Sequence, residues 1–506
     1  MKTEHKKQFG TYGYAVAAAF AVLMICSRSS FLYPFNIWDD ANSYFTMGKS
    51  MMRGMVPYRD LFDQKGILLY FLYGIGYLIS HTTFAGVFLL EVIAGTLTVV
   101  AILRILQMYV SAAVSYLLMP VTMALMYSAR SFYWGGSAEE FLLPALLWGI
   151  VLLLRYWEEI YPAPLPGRTV FLGGILAGCV LHTKFNSLGF YVGWVIFVLI
   201  ADAVTDAGDR MVRVVRHALL FLAGIVIVTL PFFLYFMMHD AVDDWFRVYI
   251  YDNLFLYSEK LPMGERLYEM VKTVYHQAMA NKRFSIPVLL GYLIGMYRAL
   301  RARERRCVLS VLSLILTGVL LIVVIFIGGV DLPYYPFPVS AFTVIGIVQA
   351  AGLAETQLWR VPPSVAGVAG IVLAGGVCVL GSMNVKDIGE KKEALWLYKM
   401  REHILASGVQ EPKLINMGGF DAGLYTVMDV LPECYYFQTQ TIPIPGIWET
   451  QKDYVKSQRP DYVLSCAGYL DFDTSGYHVA MQEVAEISGY ETHFWLYESD
   501  RIGTGE

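Results

Sequence analysis

Charged residues are scarce in this chain of 506 residues, because Asp, Glu, Lys and Arg make up 16% of it and hydrophobic residues 57%. Soluble globular proteins carry about 25% charged residues, so the composition excludes an ordinary soluble domain. Long stretches contain no charge at all, which is typical of helices that cross a bilayer. The net charge of −4 shows no basic excess, so nucleic acid is not an expected partner.

Motifs for metals and nucleotide cofactors are also missing. The six cysteines show no CxxC and no Cys/His spacing that suggests a metal site, and the sequence contains no G-x-G-x-x-G or Walker loop. We therefore predict no cofactor, while a divalent metal is compatible with the sequence but not indicated by it. Cys434 and Cys466 lie in the polar tail and could form a disulfide.

Apolar runs predict about eleven transmembrane helices. Arginine-rich loops place the amino terminus in the cytoplasm, since short cytoplasmic loops are enriched in Lys and Arg. The run 66–81 is short and Tyr-rich, and counting it as a span would put those loops outside. We interpret it as a re-entrant or juxtamembrane segment on the outer face. The expected spans lie near residues 13–32, 84–108, 111–127, 142–156, 169–183, 187–203, 218–237, 285–299, 307–328, 336–354 and 363–383.

Polarity rises sharply after residue 383, which predicts two domains. Residues 1–383 would form the transmembrane domain, with a first loop (residues 33–83) on the outer face. Residues 384–506 would form a small extracytoplasmic α/β domain. Its expected elements are helices near 388–407 and 447–458 and buried strands near 413–418 and 461–465. The predicted fold class is thus an all-α polytopic protein of the cell membrane with a small C-terminal α/β domain.

The first loop concentrates acidic residues directly after the first apolar run, beginning with Asp39 and Asp40. Placing carboxylates next to the bilayer costs free energy, so their presence here indicates a function. A glycosyl transfer at the outer face would need one carboxylate to take the acceptor proton. A second carboxylate could raise the pKa of the first or bind the acceptor. Alternatively, the pair caps a helix that begins at 41–44.

Cations at the outer ends of spans are unusual under this topology, yet Lys65, Arg130 and Lys184 occupy such positions. They could bind a lipid phosphate at the interface and stabilise its charge as it departs. Alternatively, they snorkel to the interface or pair with Glu139, Glu140 or Asp63. For Lys65 we expect Asp63 to be the resting partner.

Several short motifs follow one another along residues 30–350. They are Asp40-x-x-x-Tyr44, Gly54-Met55-Val56-Pro57-Tyr58-Arg59-Asp60, Phe62-Asp63-Gln64-Lys65-Gly66, Ser137-Ala138-Glu139-Glu140-Phe141, Gly173-Gly174-Ile175-Leu176-Ala177-Gly178 with Thr183-Lys184, and Tyr334-Tyr335-Pro336. In this order they resemble the GT-C glycosyltransferases, in particular the protein mannosyltransferase and aminoarabinose transferase (family 39-like) branch.

The resemblance implies an inverting glycosyltransferase whose donor is a polyprenyl-phosphate sugar and whose acceptor is a glycan, lipid or protein. The family spacing selects Asp40 as the base, with Asp39 as the alternative. From their positions, the predicted donor-phosphate ligands are Lys65, Arg130 and Lys184. The predicted acceptor or sugar ligands are Glu139, Glu140, Tyr44 and Tyr58, although Glu139 and Glu140 could instead cap the span that begins at 142. A transporter or flippase for lipid-linked sugars is the competing function. Because most charges lie in loops and not at mid-membrane, the enzyme is favoured.

Overall fold

The computed structural model describes residues 2–206, 208–256, 261–358, 361–440, 444–466, 471–487 and 490–502, and these are mostly helical. The helices are α1 (Lys2–Cys26), α2 (Asp39–Met52), α3 (Ile67–Ile79), α4 (Ala85–Gln107), α5 (Ala112–Tyr127), α6 (Ala138–Arg155), α7 (Gly167–Thr183), α8 (Gly189–Val204), α9 (Arg210–Met238), α10 (Val242–Trp245), α11 (Asn253–Phe255), α12 (Met263–Ala280), α13 (Lys282–Ala302), α14 (Arg305–Phe326), α15 (Thr343–Leu358), α16 (Pro363–Gly381), α17 (Trp396–Ala406), α18 (Leu424–Met428) and α19 (Ile447–Lys456). The strands are β1 (Leu414–Met417), β2 (Tyr462–Cys466), β3 (Tyr477–Ile487) and β4 (Tyr490–Ser499).

Within the described residues, five helical stretches are long and apolar enough to cross a membrane. They are Ala85–Gln107, Phe185–Val204, Arg210–Met238, Arg305–Phe326 and Pro363–Gly381. Other apolar helices are shorter, among them Ile67–Ile79, in the run that the sequence interpreted as re-entrant. The predicted count of eleven spans is not confirmed, but the apolar helices indicate a membrane protein.

The chain forms two compact units. Unit 1 comprises Met1–Ser27, Leu90–Phe233 and Glu259–Lys386, and unit 2 comprises Arg28–Leu89, Leu234–Ser258 and Asp387–Glu506. Unit 2 thus combines the first loop with a C-terminal segment, which we define as Asp387–Glu506. The division into domains at residue 383 stays a prediction.

Unit 1 is a helical assembly in which small residues allow close packing. A Cβ on Gly174 of α7 would collide with the carbonyl oxygen of Phe221 in α9 and approach Gly224. A Cβ on Gly178 would approach Val228 in the same way. The glycine-rich motif of α7 therefore serves helix packing, since only glycine permits this approach of two backbones.

Unit 2 contains a four-stranded sheet in the order β1-β2-β4-β3. β1 and β2 are parallel, with Leu414 opposite Tyr462, and α19 lies between them in the chain. β4 is antiparallel to both β2 and β3. Apolar side chains of β1, β2 and α19 form the core, including Ile415, Met417 and Val463. The predicted strands and the helix near 447–458 are confirmed.

Two expectations for the C-terminal segment need correction. Cys434 and Cys466 are free thiols, so the disulfide does not form. Of the helix expected at 388–407, only Trp396–Ala406 is α-helical, and it follows short 3-10 turns at Met383–Asp387 and Lys392–Ala394.

Candidate active site

The carboxylate pair of the first loop lies at the start of α2. Asp39 and Asp40 are its first residues, where the positive end of the helix dipole favours negative charge. The Oδ1 of Asp39 accepts from the backbone N–H of Asp40 at 2.8 Å. The Oδ2 of Asp40 accepts from the hydroxyl of Tyr44, one turn later, at 3.0 Å. The capping alternative expected the pair to precede a helix that begins at 41–44, but the helix already begins at Asp39, so both aspartates lie in its first turn.

Lys65 approaches Asp40 from the segment before α3. Its Nζ lies 4.0 Å from the Asp40 Oδ1 and 5.5 Å from the centre of the Tyr44 ring. α2 and α3 pack closely here, because a Cβ on Gly48 would lie 2.5 Å from the backbone nitrogen of Gly74. The structure therefore assembles three predicted site residues, Asp40, Tyr44 and Lys65, around one point.

The backbone of Lys65 is held on both sides. Its N–H donates to the Tyr70 hydroxyl at 2.8 Å, and its carbonyl accepts from the Tyr58 hydroxyl at 2.6 Å. Tyr58 is fully buried and has a φ of 71°, a conformation that is uncommon outside glycine. This fixed backbone directs the lysine side chain towards Asp40. A sugar-binding role for Tyr58 stays a prediction.

The expected pairing of Lys65 with Asp63 is wrong. The Asp63 carboxylate instead accepts from the Tyr70 hydroxyl at 2.7 Å and from the Gln440 amide at 3.5 Å. Asp63 is buried, which raises its pKa, while the nearby Lys65 acts in the opposite direction. Asp63 thus helps to fix the loop, and Asp40 is the carboxylate that faces the lysine.

Asp39 differs electrostatically from an ordinary aspartate. Burial and the neighbouring Asp40 raise the pKa of Asp39 to about 7, against the opposing effect of Lys65. Two adjacent carboxylates cannot both ionise freely. The pair is thus expected to hold one proton below pH 7, on Asp39.

One face of α2 is tied to the C-terminal segment by polar contacts at helical spacing. The Ser43 hydroxyl donates to Gln438 Oε1 at 2.5 Å and the Thr46 hydroxyl donates to Asp421 Oδ2 at 2.6 Å. The ammonium of Lys49 donates to the Tyr425 carbonyl at 2.6 Å. We call these three contacts the α2 clamp. It fixes the helix that carries Asp39 and Asp40.

Lys49 is the most unusual member of the α2 clamp, because its side chain is fully buried. Burial lowers its pKa to about 7, although nearby Asp429 and Asp421 act in the opposite direction. A buried lysine is costly unless it is compensated. The Tyr425 carbonyl supplies that compensation and joins α2 to α18.

A second lysine–carboxylate pair lies in unit 1. The Lys184 ammonium, at the end of α7, donates directly to the buried Glu139 carboxylate at the start of α6. The same nitrogen lies 4.1 Å from the centre of the Tyr335 ring and 5.1 Å from that of Tyr334. The pairing alternative for Lys184 is thus observed.

Glu140 and Arg130 stand outside this pair. Glu140 is fully buried, and its Oε2 accepts from the Gly136 N–H at 2.8 Å. Its own N–H donates to Ser137 Oγ at 3.0 Å, so Ser137 caps α6. Arg130 is exposed on the 3-10 turn Arg130–Phe132. Their proposed contacts with substrate stay predictions.

Sequence reasoning missed the partners that fix the acidic pair, namely Lys49, Asp421, Tyr425 and Gln438. The polar stripe Ser43, Thr46, Lys49 on α2 was a usable signal. Within the described residues, no group of three His, Cys, Asp or Glu side chains is placed to hold a metal ion.

No family model and no curated protein matches the sequence. The fold is similar to that of ArnT from Cupriavidus metallidurans in the apo state, with a TM-score of 0.61, 12% identity, and coverage of 97% of this chain and 98% of that one. The structure of that ArnT bound to undecaprenyl phosphate gives the same values. An oligosaccharyltransferase from Archaeoglobus fulgidus reaches a TM-score of only 0.49 at 12% identity, covering 96% of this chain and 73% of that one. ArnT is an aminoarabinose transferase with the GT-C fold. The chain therefore has the fold of the GT-C glycosyltransferases, as its motifs predicted.

Proposed function

We propose that the chain transfers a sugar from a polyprenyl phosphate to an acceptor, with inversion, at the outer face of the membrane. The observation that carries this proposal is the Lys65 ammonium, 4.0 Å from the Asp40 carboxylate. A base beside a cation suits a reaction in which a hydroxyl loses its proton while a phosphate departs. The ArnT fold, and undecaprenyl phosphate as the lipid bound in one ArnT structure, support a lipid-phosphate donor.

In the proposed reaction, Asp40 accepts the proton of the acceptor hydroxyl as that oxygen attacks C1 of the sugar. The bond between C1 and the phosphate oxygen breaks on the opposite side, so the configuration at C1 inverts. The lipid phosphate leaves with the bonding electron pair, and Lys65 offsets its growing charge. This is a single displacement, so one base suffices.

Asp40 is the better base of the two aspartates because of its partners. The Tyr44 hydroxyl donates to its carboxylate at 3.0 Å, and the Lys65 ammonium lies 4.0 Å from it, where it can offset charge on the departing phosphate. Asp39 has the raised pKa and therefore holds the proton that the pair shares. In its neutral form it avoids a second negative charge beside the departing phosphate.

The remaining assignments follow the same proposal. The amino terminus faces the cytoplasm and the C-terminal segment lies outside, with a glycan, lipid or protein as acceptor. Glu139, Glu140, Tyr44 and Tyr58 are candidates for binding the sugar or the acceptor, and Arg130 and Lys184 for the donor phosphate.

The test is turnover of polyprenyl-phosphate sugars by the purified chain in nanodiscs. Release of polyprenyl phosphate is measured for the unmodified chain and for Asp40→Asn, Asp39→Asn and Asp60→Asn. Loss of a general base lowers the rate by about 10²–10⁴-fold, and we expect this for Asp40→Asn while donor binding survives. Asp60 pairs with Arg59 in the same loop, so Asp60→Asn is the matched control and should stay within about threefold, as for an exposed ion pair.

The proposal fails if no polyprenyl-phosphate sugar is turned over, or if the product keeps the configuration of the donor at C1 in an NMR spectrum. If Asp39→Asn lowers the rate more than Asp40→Asn does, the base is Asp39.

A further inference from the structure

Unit 2 contains a groove of about 440 Å³ that involves neither Asp40 nor Lys65. Its walls come from the C-terminal segment and from Thr82, which precedes α4. The volume lies within the range of about 300–1,000 Å³ that is usual for small-molecule sites. Besides Thr82, the lining residues are Lys392, Glu393, Tyr398, Lys399, Arg401, Glu402 and Val427.

The groove carries three cations and two carboxylates. Two of the cations are already engaged, since Lys399 pairs with Glu483 at 2.8 Å and Arg401 pairs with Glu402 at 2.7 Å. The ammonium of Lys392 lies 4.5 Å from the centre of the Tyr398 ring and has no ion-pair partner within the described residues. Outside these two ion pairs, the lining therefore carries one cation, Lys392, and one carboxylate, Glu393.

Tyr398 supplies a second unsatisfied group. Its side chain is only 6% exposed, and its buried hydroxyl has no hydrogen-bond partner in the described part of the chain. A buried hydroxyl without a partner costs about 1–3 kcal/mol, so a ligand oxygen that accepts from it would be favourable. Burial raises the pKa of Tyr398, which keeps the hydroxyl protonated and able to donate.

We propose that this groove binds a sugar that carries one anionic group, either the carboxylate of a uronic acid or the phosphate of a sugar phosphate. The Lys392 ammonium and the Tyr398 hydroxyl hold the anion, since a cation and a neutral donor together suit a carboxylate or a phosphate oxygen. The carboxylate of Glu393 accepts hydrogen bonds from the sugar hydroxyls. Because the charges outside ion pairs are one cation, Lys392, and one carboxylate, Glu393, a sugar with one anionic group suits the lining better than a polyanion. This site is independent of the proposed transfer reaction.

The experiment is a ligand-observed NMR titration of the full chain in nanodiscs with glucuronic acid, glucose 6-phosphate, glucose and inorganic phosphate. We expect glucuronic acid or glucose 6-phosphate to bind at least about tenfold more tightly than glucose, as a charge-assisted hydrogen bond provides. Inorganic phosphate, which lacks the hydroxyl contacts, should bind more weakly than the anionic sugars. Tighter binding of glucuronic acid would identify a carboxylate as the preferred anionic group, and tighter binding of glucose 6-phosphate would identify a phosphate.

Three variants locate the site. Lys392→Met should weaken the binding of the anionic sugar about tenfold and leave glucose unchanged, and Tyr398→Phe should weaken it while preserving the ring that packs on Phe35 at 6.0 Å. Lys391→Met is the matched control, because Lys391 is an exposed neighbour outside the groove lining. A thermal unfolding midpoint equal to that of the unmodified chain shows that each variant is folded.

The proposal is overturned if neither anionic sugar binds more tightly than glucose, or if inorganic phosphate binds as tightly as they do. It is equally overturned if Lys391→Met reproduces the loss seen with Lys392→Met. If Lys392→Met is misfolded, the isosteric Tyr398→Phe decides, and unchanged binding in that variant contradicts the site.

Discussion

Each unit of the chain holds a lysine beside a carboxylate, but the two pairs differ in closeness and exposure. In unit 2, Lys65 and Asp40 stand 4.0 Å apart, and their side chains are 12% and 18% exposed. In unit 1, Lys184 and Glu139 are directly hydrogen-bonded, at 10% and 2% exposure. The two groups of the looser pair can separate to admit a substrate, whereas breaking the hydrogen-bonded pair leaves an uncompensated charge on the buried Glu139.

The neighbouring carboxylates differ in the same sense. Asp39 lies beside Asp40 and has a pKa raised to about 7, so it can hold the proton that the pair shares and leave Asp40 as the base. Glu140 lies beside Glu139, but its Oε2 accepts from the N–H of Gly136 and thereby supports the turn before α6. The comparison supports the first pair as the place of the proposed proton transfer and leaves Glu139, Glu140 and Lys184 as candidates for binding substrate.

The largest expected effect concerns the closed pair. Lys184→Met leaves Glu139 as an uncompensated buried charge, so the free energy of unfolding should fall by about 3–5 kcal/mol. Lys65→Met removes a looser pair and should cost under about 1 kcal/mol. Denaturant unfolding of both variants in the same detergent measures the difference. Equal losses of unfolding free energy in the two variants would contradict the claim that the two lysine–carboxylate pairs differ.

The next effect concerns the α2 clamp. The double variant Ser43→Ala with Thr46→Val deletes two of its hydrogen bonds without large changes in volume. Because a displaced base slows the chemical step, kcat should fall about 10–100-fold, while KM for the donor should change less than about threefold. Arg53→Ala is the control, because Arg53 contacts Asp429 from an exposed position just after α2. A rise in donor KM with unchanged kcat would refute the positioning role.

A smaller effect is the pH dependence that Asp39 introduces. Its raised pKa means that the folded chain binds more protons than the unfolded chain between about pH 4 and 7, so its contribution to stability falls as the pH rises through this window. If the neutral form of Asp39 is the active one, kcat should decline about tenfold per pH unit above 7. In Asp39→Asn this decline should disappear. If kcat of Asp39→Asn still declines above pH 7, another titratable group causes the decline and this role of Asp39 is wrong.

Much of unit 2 was predictable from local patterns. The buried strands β1 and β2 and the helix α19 have clear apolar periodicity, and the acidic pair stands out beside a long apolar run. β3 and β4 were missed because they carry charged and polar residues such as His478, Glu483 and Glu491, which dilute the strand signal. Such strands are defined by pairing with each other and with β2 and not by their own composition.

The contacts of the site were less predictable. The α2 clamp joins residues such as Thr46 and Asp421 that are 375 positions apart, so no local pattern could pair them. Lys65 was assigned to Asp63 because the two are close in sequence, but packing of α2 on α3 brings it to Asp40. Composition also does not fix the number of spans, since several apolar helices are shorter than a membrane requires.

The most direct test of the account is binding of undecaprenyl phosphate to the unmodified chain, to Lys65→Ala and to Arg59→Ala in nanodiscs. Arg59 is an exposed cation of the same loop, paired with Asp60 at 2.8 Å. The account predicts about tenfold weaker binding in Lys65→Ala, as for the loss of one charge-assisted contact, and little change in Arg59→Ala. Unchanged binding in Lys65→Ala, or an equal loss in Arg59→Ala, would contradict it.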